Sequence, residues 1–220
     1  MKIFNKKFPN IFLNKRKFYT KSSDKTSFFD ERIIVEKKSF FREWDSKRSK
    51  LAAALSNGIS QIGIKEGSVV LYLGASHGYT PSFVSDIIGD SGFVFCVEIS
   101  PVVARDLVVI CEKRKNMTPI LASANHPETY KQLVVEADIV YQDIAQKNQV
   151  EIFLKNCNAY LKKEGFGLLT IKSRSIDITK KPKMIFKEVM KVLEEKMTVV
   201  DYRTLEPHEK DHALFVVKKK

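Results

Sequence analysis

The chain has 220 residues, of which 44% are apolar, so it is long enough for one α/β domain with a sizeable core and a small appendage. No apolar run approaches the length that a bilayer-spanning helix needs, and we expect no membrane partner. The three cysteines, Cys96, Cys111 and Cys157, form no C-x-x-C pair. The composition therefore excludes a disulfide-stapled secreted domain and predicts reduced thiols in a cytosolic protein.

The net charge of +12 is unevenly distributed. Residues 1–50 hold 15 Lys/Arg against 6 Asp/Glu, whereas the remaining 170 residues hold 23 against 20. This asymmetry favours a polyanionic partner that the N-terminal part contacts, although a charged run is more often only a solvated face. The apolar stretch 8–12 is too short for a signal sequence, so we expect no targeting segment and a cytoplasmic location.

Short apolar and aromatic runs dominate the beginning of the chain. The predicted strands cover residues 11–21, as a hairpin that turns at Asn14, and residues 32–36 and 39–44. They predict a small β domain over residues 1–45, followed by a second domain over residues 46–220. The second domain opens with an alanine-rich helix whose N-cap is Asp45 or Ser46.

From residue 67 onward, apolar strands alternate with amphipathic helices. The predicted strands are 69–73, 93–98, 118–122, 137–143, 165–172, 198–204 and 212–217, and the predicted helices are a short one after Thr80, then 101–115, 128–135, 146–161 and 182–195. The alternation predicts an α/β fold with a mainly parallel, doubly wound sheet of seven strands. The last two strands should add an antiparallel hairpin at one edge.

The first strand of this sheet ends in a glycine loop, Gly74-Ala75-Ser76-His77-Gly78-Tyr79-Thr80. Such a turn at the carboxyl end of a strand is typical of a nucleotide-type cofactor site. Gly74 and Gly78 would let the backbone turn sharply and approach a ligand closely, while Thr80 and Pro81 suit an N-cap and a first helical residue. Glu98, at the end of the next strand, is placed to accept hydrogen bonds from ribose hydroxyls.

The spacing of the glycines distinguishes between cofactors. The loop reads G-x-x-x-G and matches neither the G-x-G-x-x-G dinucleotide fingerprint nor a phosphate-binding P-loop. S-adenosylmethionine carries adenosine but no phosphate, so a looser glycine loop with a ribose-binding acid suits it better. The alternative is an ordinary strand-to-helix turn without a ligand.

Two charged residues follow apolar strands, where α/β sheets bind their ligands: Asp143 and Lys172. Because they end neighbouring strands with opposite charge, we expect them to form a paired site. Taken singly, each is also consistent with a surface charge at the end of a strand.

Several blocks, taken together and in order, resemble the signature motifs of fibrillarin. They are Arg42–Ala54, Leu71–Ser76, Tyr141–Gln146, Ile171–Asp177 and Leu205–Ala213. The similarity extends over nearly the whole chain from Arg42 onward. Since the Gly/Arg-rich tail of eukaryotic fibrillarins is absent, the chain resembles the archaeal form.

The resemblance implies a Rossmann-like methyltransferase fold and an S-adenosylmethionine-dependent 2′-O-methyltransferase of ribosomal or transfer RNA. It also implies a box C/D guide ribonucleoprotein that contains the guide RNA, a Nop-domain scaffold protein and a kink-turn-binding ribosomal-type protein. Two alternatives remain open. One is a stand-alone Rossmann-type RNA methyltransferase, and the other is a catalytically silent RNA-binding or scaffold-docking module.

The resemblance also implies which residues form the site. The family's Lys-Asp-Lys-His tetrad falls on Lys50, Asp143, Lys172 and His212, and its cofactor contacts fall on Gly74, Ala75, Ser76, Gly78, Tyr79, Thr80, Glu98, Ile99, Ser123, Ala124, Asn125, Asp143 and Gln146. Because a ribose hydroxyl is a poor nucleophile, we assign Lys172 as general base and Asp143 as the group that orients it. Lys50 would hold a phosphate or support developing charge, and His212 would complete the hydrogen-bond network.

The chain departs from the family pattern in the cofactor loops. Ser123-Ala124-Asn125 stands where Asp-Ala-Arg is usual, so the carboxylate expected at the adenine amino group is absent. His77 and Tyr79 replace smaller residues, and Lys147 stands where proline is common. The histidines at 77, 126 and 208 are interpreted as loop residues, and we expect no metal site.

Overall fold

The computed structural model describes residues 1–220, which form two separate sheets. The first is antiparallel, in the strand order β1-β2-β3-β5-β4. Its strands are β1 (Lys2–Ile3), β2 (Ile11–Asn14), β3 (Lys17–Ser22), β4 (Ile33–Glu36) and β5 (Ser39–Trp44). All five precede the boundary predicted at residue 45. The sequence analysis missed only β1, a two-residue exposed strand.

Two hairpins of this sheet turn through pairs of basic residues. Lys15 and Arg16 have φ of 48° and 66°, and Lys37 and Lys38 have φ of 48° and 63°. Two consecutive left-handed residues are the geometry of the type I′ turn, whose twist matches that of the flanking strands. The first turn is therefore centred one residue beyond Asn14, which ends β2.

The second sheet is the predicted seven-stranded one, in the order β11-β12-β10-β9-β6-β7-β8. Its strands are β6 (Val69–Leu73), β7 (Phe93–Glu98), β8 (Met117–Leu121), β9 (Ala137–Gln142), β10 (Leu161–Lys172), β11 (Thr198–Thr204) and β12 (His212–Lys218). Strands β6 to β10 pair in parallel, and β12 is antiparallel to both of its neighbours. The predicted fold class is confirmed.

Helices cover both faces of this sheet. They are α1 (Lys50–Ser56), α2 (Tyr79–Ile88), α3 (Pro101–Lys113), α4 (Gln149–Tyr160), α5 (Ser173–Ile176) and α6 (Pro182–Lys196). Strand β6 shows the two-sided burial, because Val70 and Tyr72 pack in one core with α1 and α2, and Leu71 and Leu73 pack in the other with α4 and α6. None of the helices has the length and apolarity that a bilayer crossing requires.

Two predicted helix starts are wrong. Helix α1 is capped by Ser49, whose hydroxyl accepts from the N–H of Ala52, while the Asp45 carboxylate accepts from the N–H of Lys47 in the preceding turn. Helix α2 is capped by Gly78 in the left-handed conformation. Thr80 does not cap it, because the Thr80 hydroxyl donates to the hydroxyl of Ser49.

The helix predicted over residues 128–135 is also wrong. Only a 3-10 turn, Pro127–Tyr130, forms there. Leu133 and Val135 are each 60% exposed, so a helix through this segment would lack the continuous buried face that stabilises short helices.

A buried ionic cluster fixes the N-terminal sheet to helix α2. The Arg42 side chain is fully buried, and it donates from Nε to Glu31 Oε1 at 2.7 Å and from Nη1 to Asp86 Oδ2 at 2.9 Å. Its guanidinium lies 4.3 Å from the centre of the Phe83 ring, and Arg114 donates to the second oxygen of Asp86 at 2.7 Å. Burial alone would raise the pKa of Glu31, but the Arg42 charge and backbone N–H donors hold it below its usual value. The two sheets are thus joined by charges that satisfy one another.

We expect Arg42→Met to lower the free energy of unfolding by about 3–5 kcal/mol, because it leaves the buried carboxylate of Glu31 without a cation and that of Asp86 with Arg114 alone. Denaturant titration at neutral pH measures this loss. Lys218→Met is the matched control, because it removes an exposed ion pair with Glu164 and should change stability by less than about 1 kcal/mol. Equal losses in the two variants would contradict the role assigned to the cluster.

Candidate active site

The carboxyl ends of β6 and β9 approach each other closely at Gly74 and Asp143. Gly74 has a φ of +79°, and a Cβ on it would lie 2.5 Å from the carbonyl oxygen of Asp143. A Cβ on Gly78, whose φ is +87°, would lie 3.0 Å from methyl groups of Leu107 and Ile110 on α3. Both glycines therefore allow close contacts within the protein, and the close approach to a ligand stays a prediction.

Two clefts open at this point, and Gly74 lines both of them. The larger, of about 640 Å³, contains the predicted site residues Lys50, Ala75, Ser76, Tyr79, Thr80 and Asp143. The smaller, of about 40 Å³, contains Glu98, Ile99, Ser123, Ala124, Asn125 and Gln146. Gly78 lines neither cleft. The predicted cofactor residues are thus brought together in two clefts that meet at Gly74, with this single exception.

Glu98 lies between the two clefts with its carboxylate held by backbone donors. Oε2 accepts from the N–H of Ser76 at 2.8 Å and Oε1 accepts from the N–H of Ser100 at 2.9 Å. Each carboxylate oxygen can accept a further hydrogen bond, so Glu98 retains the capacity to bind a diol.

Neutral groups hold the loop at Ser123. The resemblance instead predicts a carboxylate and a guanidinium at these positions. The Asn125 amide donates to Gln146 Oε1 at 3.0 Å and accepts from Asn148 at 2.9 Å, and its backbone N–H donates to the Ser123 hydroxyl at 3.3 Å. Asn125 therefore ties the two cofactor loops together without a charge.

An ion pair joins Lys50 and Asp143. The ammonium nitrogen of Lys50 lies 3.0 Å from each carboxylate oxygen, and both side chains are largely buried. Lys50 is the first residue of α1, and the hydroxyl contact between Ser49 and Thr80 at 3.0 Å holds this end of α1 against α2. Asp143 forms its ion pair with Lys50 and none with Lys172, whose ammonium has no carboxylate within 4.0 Å, so the paired site of Asp143 and Lys172 stays a prediction.

Lys172 and His212 lie opposite each other at the adjoining ends of β10 and β12. They line neither cleft. The ring nitrogen Nδ1 of His212 lies 2.6 Å from the carbonyl oxygen of Lys210. Because a carbonyl only accepts, Nδ1 donates, which leaves Nε2 of the neutral ring as an acceptor. The four tetrad residues thus form two pairs. Lys50 and Asp143 form an ion pair, and Lys172 and His212 lie opposite each other on neighbouring strands.

Two buried glutamines that the sequence analysis missed hold this edge of the sheet together. Strand β9 ends at Gln142, so the end of β10 has no β9 residue beside it at Lys172. The Gln149 side chain takes that place, since it accepts from the N–H of Lys172 at 3.1 Å and donates to its carbonyl at 3.2 Å. Gln142 in turn donates to the carbonyl of Gln149 at 2.6 Å. Gln149 therefore positions the backbone of Lys172.

The N-terminal half of the chain also supplies part of the cleft wall, which the sequence analysis missed. Phe28, Phe29 and Arg48 line the larger cleft. The guanidinium of Arg48 lies 4.4 Å from the centre of the Tyr79 ring and donates to the carbonyl of Phe29 at 2.9 Å. These contacts make the N-terminal sheet part of the site.

Behind Asp143, two tyrosines, Tyr72 and Tyr141, pack with their ring centres 4.5 Å apart. Burial, followed by the nearby charge of Asp143, raises the pKa of Tyr141 far above its ordinary value. Burial, Tyr141 and Asp143 raise the pKa of Tyr72 in the same way. Both phenols are neutral at physiological pH, so neither adds a charge beside Asp143.

The other histidines lie outside the tetrad. His77 contacts Asp106 at 2.7 Å at the exposed rim of the larger cleft, and His126 contacts Glu128 at 3.2 Å in an exposed loop. His208 lies between the hydroxyls of Ser46 and Ser56. These contacts agree with the interpretation of the three as loop residues.

The strand order, the antiparallel β12 and the groove at Gly74 define the chain as a Rossmann-like methyltransferase. The family model described as Fibrillarin matches residues 3–220. The chain belongs to the fibrillarin family.

Individual relatives agree with this assignment. The chain is 46% identical over 225 residues to the fibrillarin-like rRNA/tRNA 2′-O-methyltransferase of Thermococcus onnurineus, with 100% of both chains covered. The structure of Aeropyrum pernix fibrillarin in complex with natively bound S-adenosyl-L-methionine matches with a TM-score of 0.85 at 39% identity, covering 91% of this chain and 88% of that one. The structure of a fibrillarin/Nop5p complex matches with a TM-score of 0.90 at 36% identity, covering 96% and 98%.

We expect Gly74→Ala to destabilise the fold more than Gly58→Ala. Gly58 has a similar φ of +76°, and no atom lies within 4 Å of the position that a Cβ would take there, so its substitution should cost only the left-handed strain, about 1 kcal/mol. At Gly74 the clash with the Asp143 backbone should add about 2 kcal/mol. Denaturant unfolding of both variants tests this, and equal losses would show that β6 and β9 can separate freely.

Proposed function

We propose that the chain transfers the methyl group of S-adenosylmethionine to a ribose 2′-hydroxyl of ribosomal or transfer RNA. The observation that carries this proposal is the pair of clefts that share Gly74, with the Lys50–Asp143 ion pair on the wall of the larger one, in a member of the fibrillarin family. Relatives named as rRNA/tRNA 2′-O-methyltransferases and a related structure with bound S-adenosyl-L-methionine support it.

The residues of the smaller cleft fit an uncharged nucleoside. No lysine or arginine lines that cleft, and its one charged residue is Glu98. A pyrophosphate placed there would be repelled by this carboxylate, whereas the hydroxyls of a ribose can donate to it. Ser123 and Asn125 would bind the adenine edge through neutral hydrogen bonds, and the backbone of residues 74–76 would bind the amino-acid part of the cofactor.

Asp143 and Lys50 at the larger cleft, together with Lys172 at the neighbouring strand end, would hold and deprotonate a hydroxyl. When bound, S-adenosylmethionine supplies a methyl group that its sulfonium centre activates for transfer. The Asp143 carboxylate accepts a hydrogen bond from the 2′-hydroxyl and orients it, while the ion pair with Lys50 holds that carboxylate in place. Lys172, whose amine no carboxylate holds, takes the hydroxyl proton on Nζ in its uncharged form. His212 fixes the strand end opposite Lys172.

We further propose that a guide ribonucleoprotein directs this activity. The related fibrillarin/Nop5p complex supports a Nop-domain scaffold as partner of this chain. The box C/D guide RNA would select the nucleotide by base pairing, and a kink-turn-binding ribosomal-type protein would complete the particle. The cytoplasmic location also stays a prediction.

We expect Asp143→Asn and Lys172→Met each to lower the turnover of a reconstituted box C/D particle by roughly 10²–10⁴-fold, because each removes a group that handles the hydroxyl proton. The measurement is methyl incorporation at the guided ribose. Lys196→Met is the matched control, because it removes an exposed lysine at the far end of α6 and should leave turnover unchanged. Near-wild-type turnover in Asp143→Asn or Lys172→Met would overturn that residue's role.

The same assay without guide RNA separates the alternatives. Activity that needs the guide is the result expected here. Full activity without guide or partners would instead indicate a stand-alone RNA methyltransferase. Tight binding of S-adenosylmethionine without turnover in the complete particle would indicate a catalytically silent module.

A further inference from the structure

A row of cationic side chains leads from the larger cleft to a hairpin turn of the N-terminal sheet. Lys50 and Arg48 line the cleft. Lys47 follows, on one wall of a groove of about 200 Å³ that Arg16 also lines, and Lys15 adjoins Arg16 at the tip of the turn. The row therefore runs from residues that line the larger cleft to the tip of the β2–β3 hairpin.

The register of the N-terminal sheet places this turn beside the start of α1. Phe18 lies opposite Trp44, so the turn that precedes β3 is next to the chain that leaves β5. At the other end of the same strand pair, Ser22 lies opposite Phe40. The Lys37–Lys38 turn is therefore at the opposite end of these strands, away from the cleft. It has the same charge and the same type I′ geometry as the first turn.

The cations of the row are largely free of intramolecular partners. Lys15, Arg16, Lys47 and Arg48 are exposed, and none of them has a carboxylate within 4.0 Å. Two acids line the same groove: Glu43 is paired with Lys17 at 2.6 Å, and the carboxylate of Asp45 accepts from the backbone N–H of Lys47 at 2.9 Å. Four exposed cations against the single unpaired carboxylate of Asp45 leave the row with excess positive charge facing solvent, as on a surface that binds a polyanion.

We propose that the row formed by Lys15, Arg16, Lys47 and Arg48 binds the phosphate backbone of the RNA strand whose ribose is methylated. The inference rests on the proposed function and extends it to a named surface. RNA is favoured over an acidic protein because the row begins at the cleft that holds the target ribose. Phosphates recur along the strand on either side of that ribose, so a strand seated in the cleft can continue along the row.

The turn offers a substitution that removes charge without breaking the fold. Asn-Gly is the preferred pair for type I′ turns, so Lys15→Asn combined with Arg16→Gly removes two cations and suits the backbone better. Lys37→Asn combined with Lys38→Gly makes the matching change at the other turn. Thermal unfolding should show both variants at least as stable as the wild type, which excludes misfolding as a cause of weaker binding.

The measurement is the affinity of the full chain for a fluorescent single-stranded target RNA, as a function of salt concentration. For the Lys15/Arg16 variant we expect affinity to fall on the order of tenfold at low salt, and the slope of log affinity against log salt to decrease by about 1.4, because two phosphate contacts are lost. The Lys37/Lys38 variant should behave like the wild type. Affinity for S-adenosylmethionine should be the same in all three.

Equal effects of the two substitutions would overturn the proposal, because they would show that only net charge matters. An unchanged salt slope combined with weaker binding to a scaffold protein would overturn it in favour of a protein partner. Turnover of the wild-type particle is measured in parallel and reports on the proposed function separately. Loss of methyl transfer in the wild-type particle would thus contradict the proposed function, whereas the salt dependence of RNA binding tests the proposed role of the row.

Discussion

The ion pair between Lys50 and Asp143 is the contact on which the site depends. It joins a helix that follows the N-terminal sheet to a loop that follows the central strand β9, so its two charges come from distant parts of the chain. The pair forms because Ser49 both caps α1 and meets Thr80 on α2. A carboxylate fixed in this way is oriented before any substrate arrives, which lowers the entropic cost of positioning a hydroxyl beside it.

The N-terminal sheet belongs to the site and is more than an appendage. The buried cluster around Arg42 fixes it against α2 through Glu31 and Asp86. With the sheet in that position, Phe29 and Arg48 close one wall of the larger cleft over Tyr79. Two of the basic residues in the first 50, Arg48 and Lys50, thus line the cleft.

The sheet, its strand ends and the glycine loop could be predicted from the sequence, because apolar periodicity and strand-ending charges are local signals. Contacts between distant segments could not. Thr80 has the residue type of a helix cap, yet a tertiary bond to Ser49 takes its hydroxyl. Asp143 and Lys172 end neighbouring strands, yet Lys50 is the partner of the carboxylate. Gln149 carries no sequence signal, because nothing in a helical glutamine indicates that it will replace a missing strand.

The central claim is that one groove holds S-adenosylmethionine beside the Lys50–Asp143 pair, and a crystal structure of the complex tests it most directly. The account requires the ribose hydroxyls to donate to Glu98, the adenine to lie at Ser123 and Asn125, and the methyl-bearing sulfur to face Asp143. Cofactor bound outside this groove, or bound within it with the sulfur turned away from Asp143, would contradict the account.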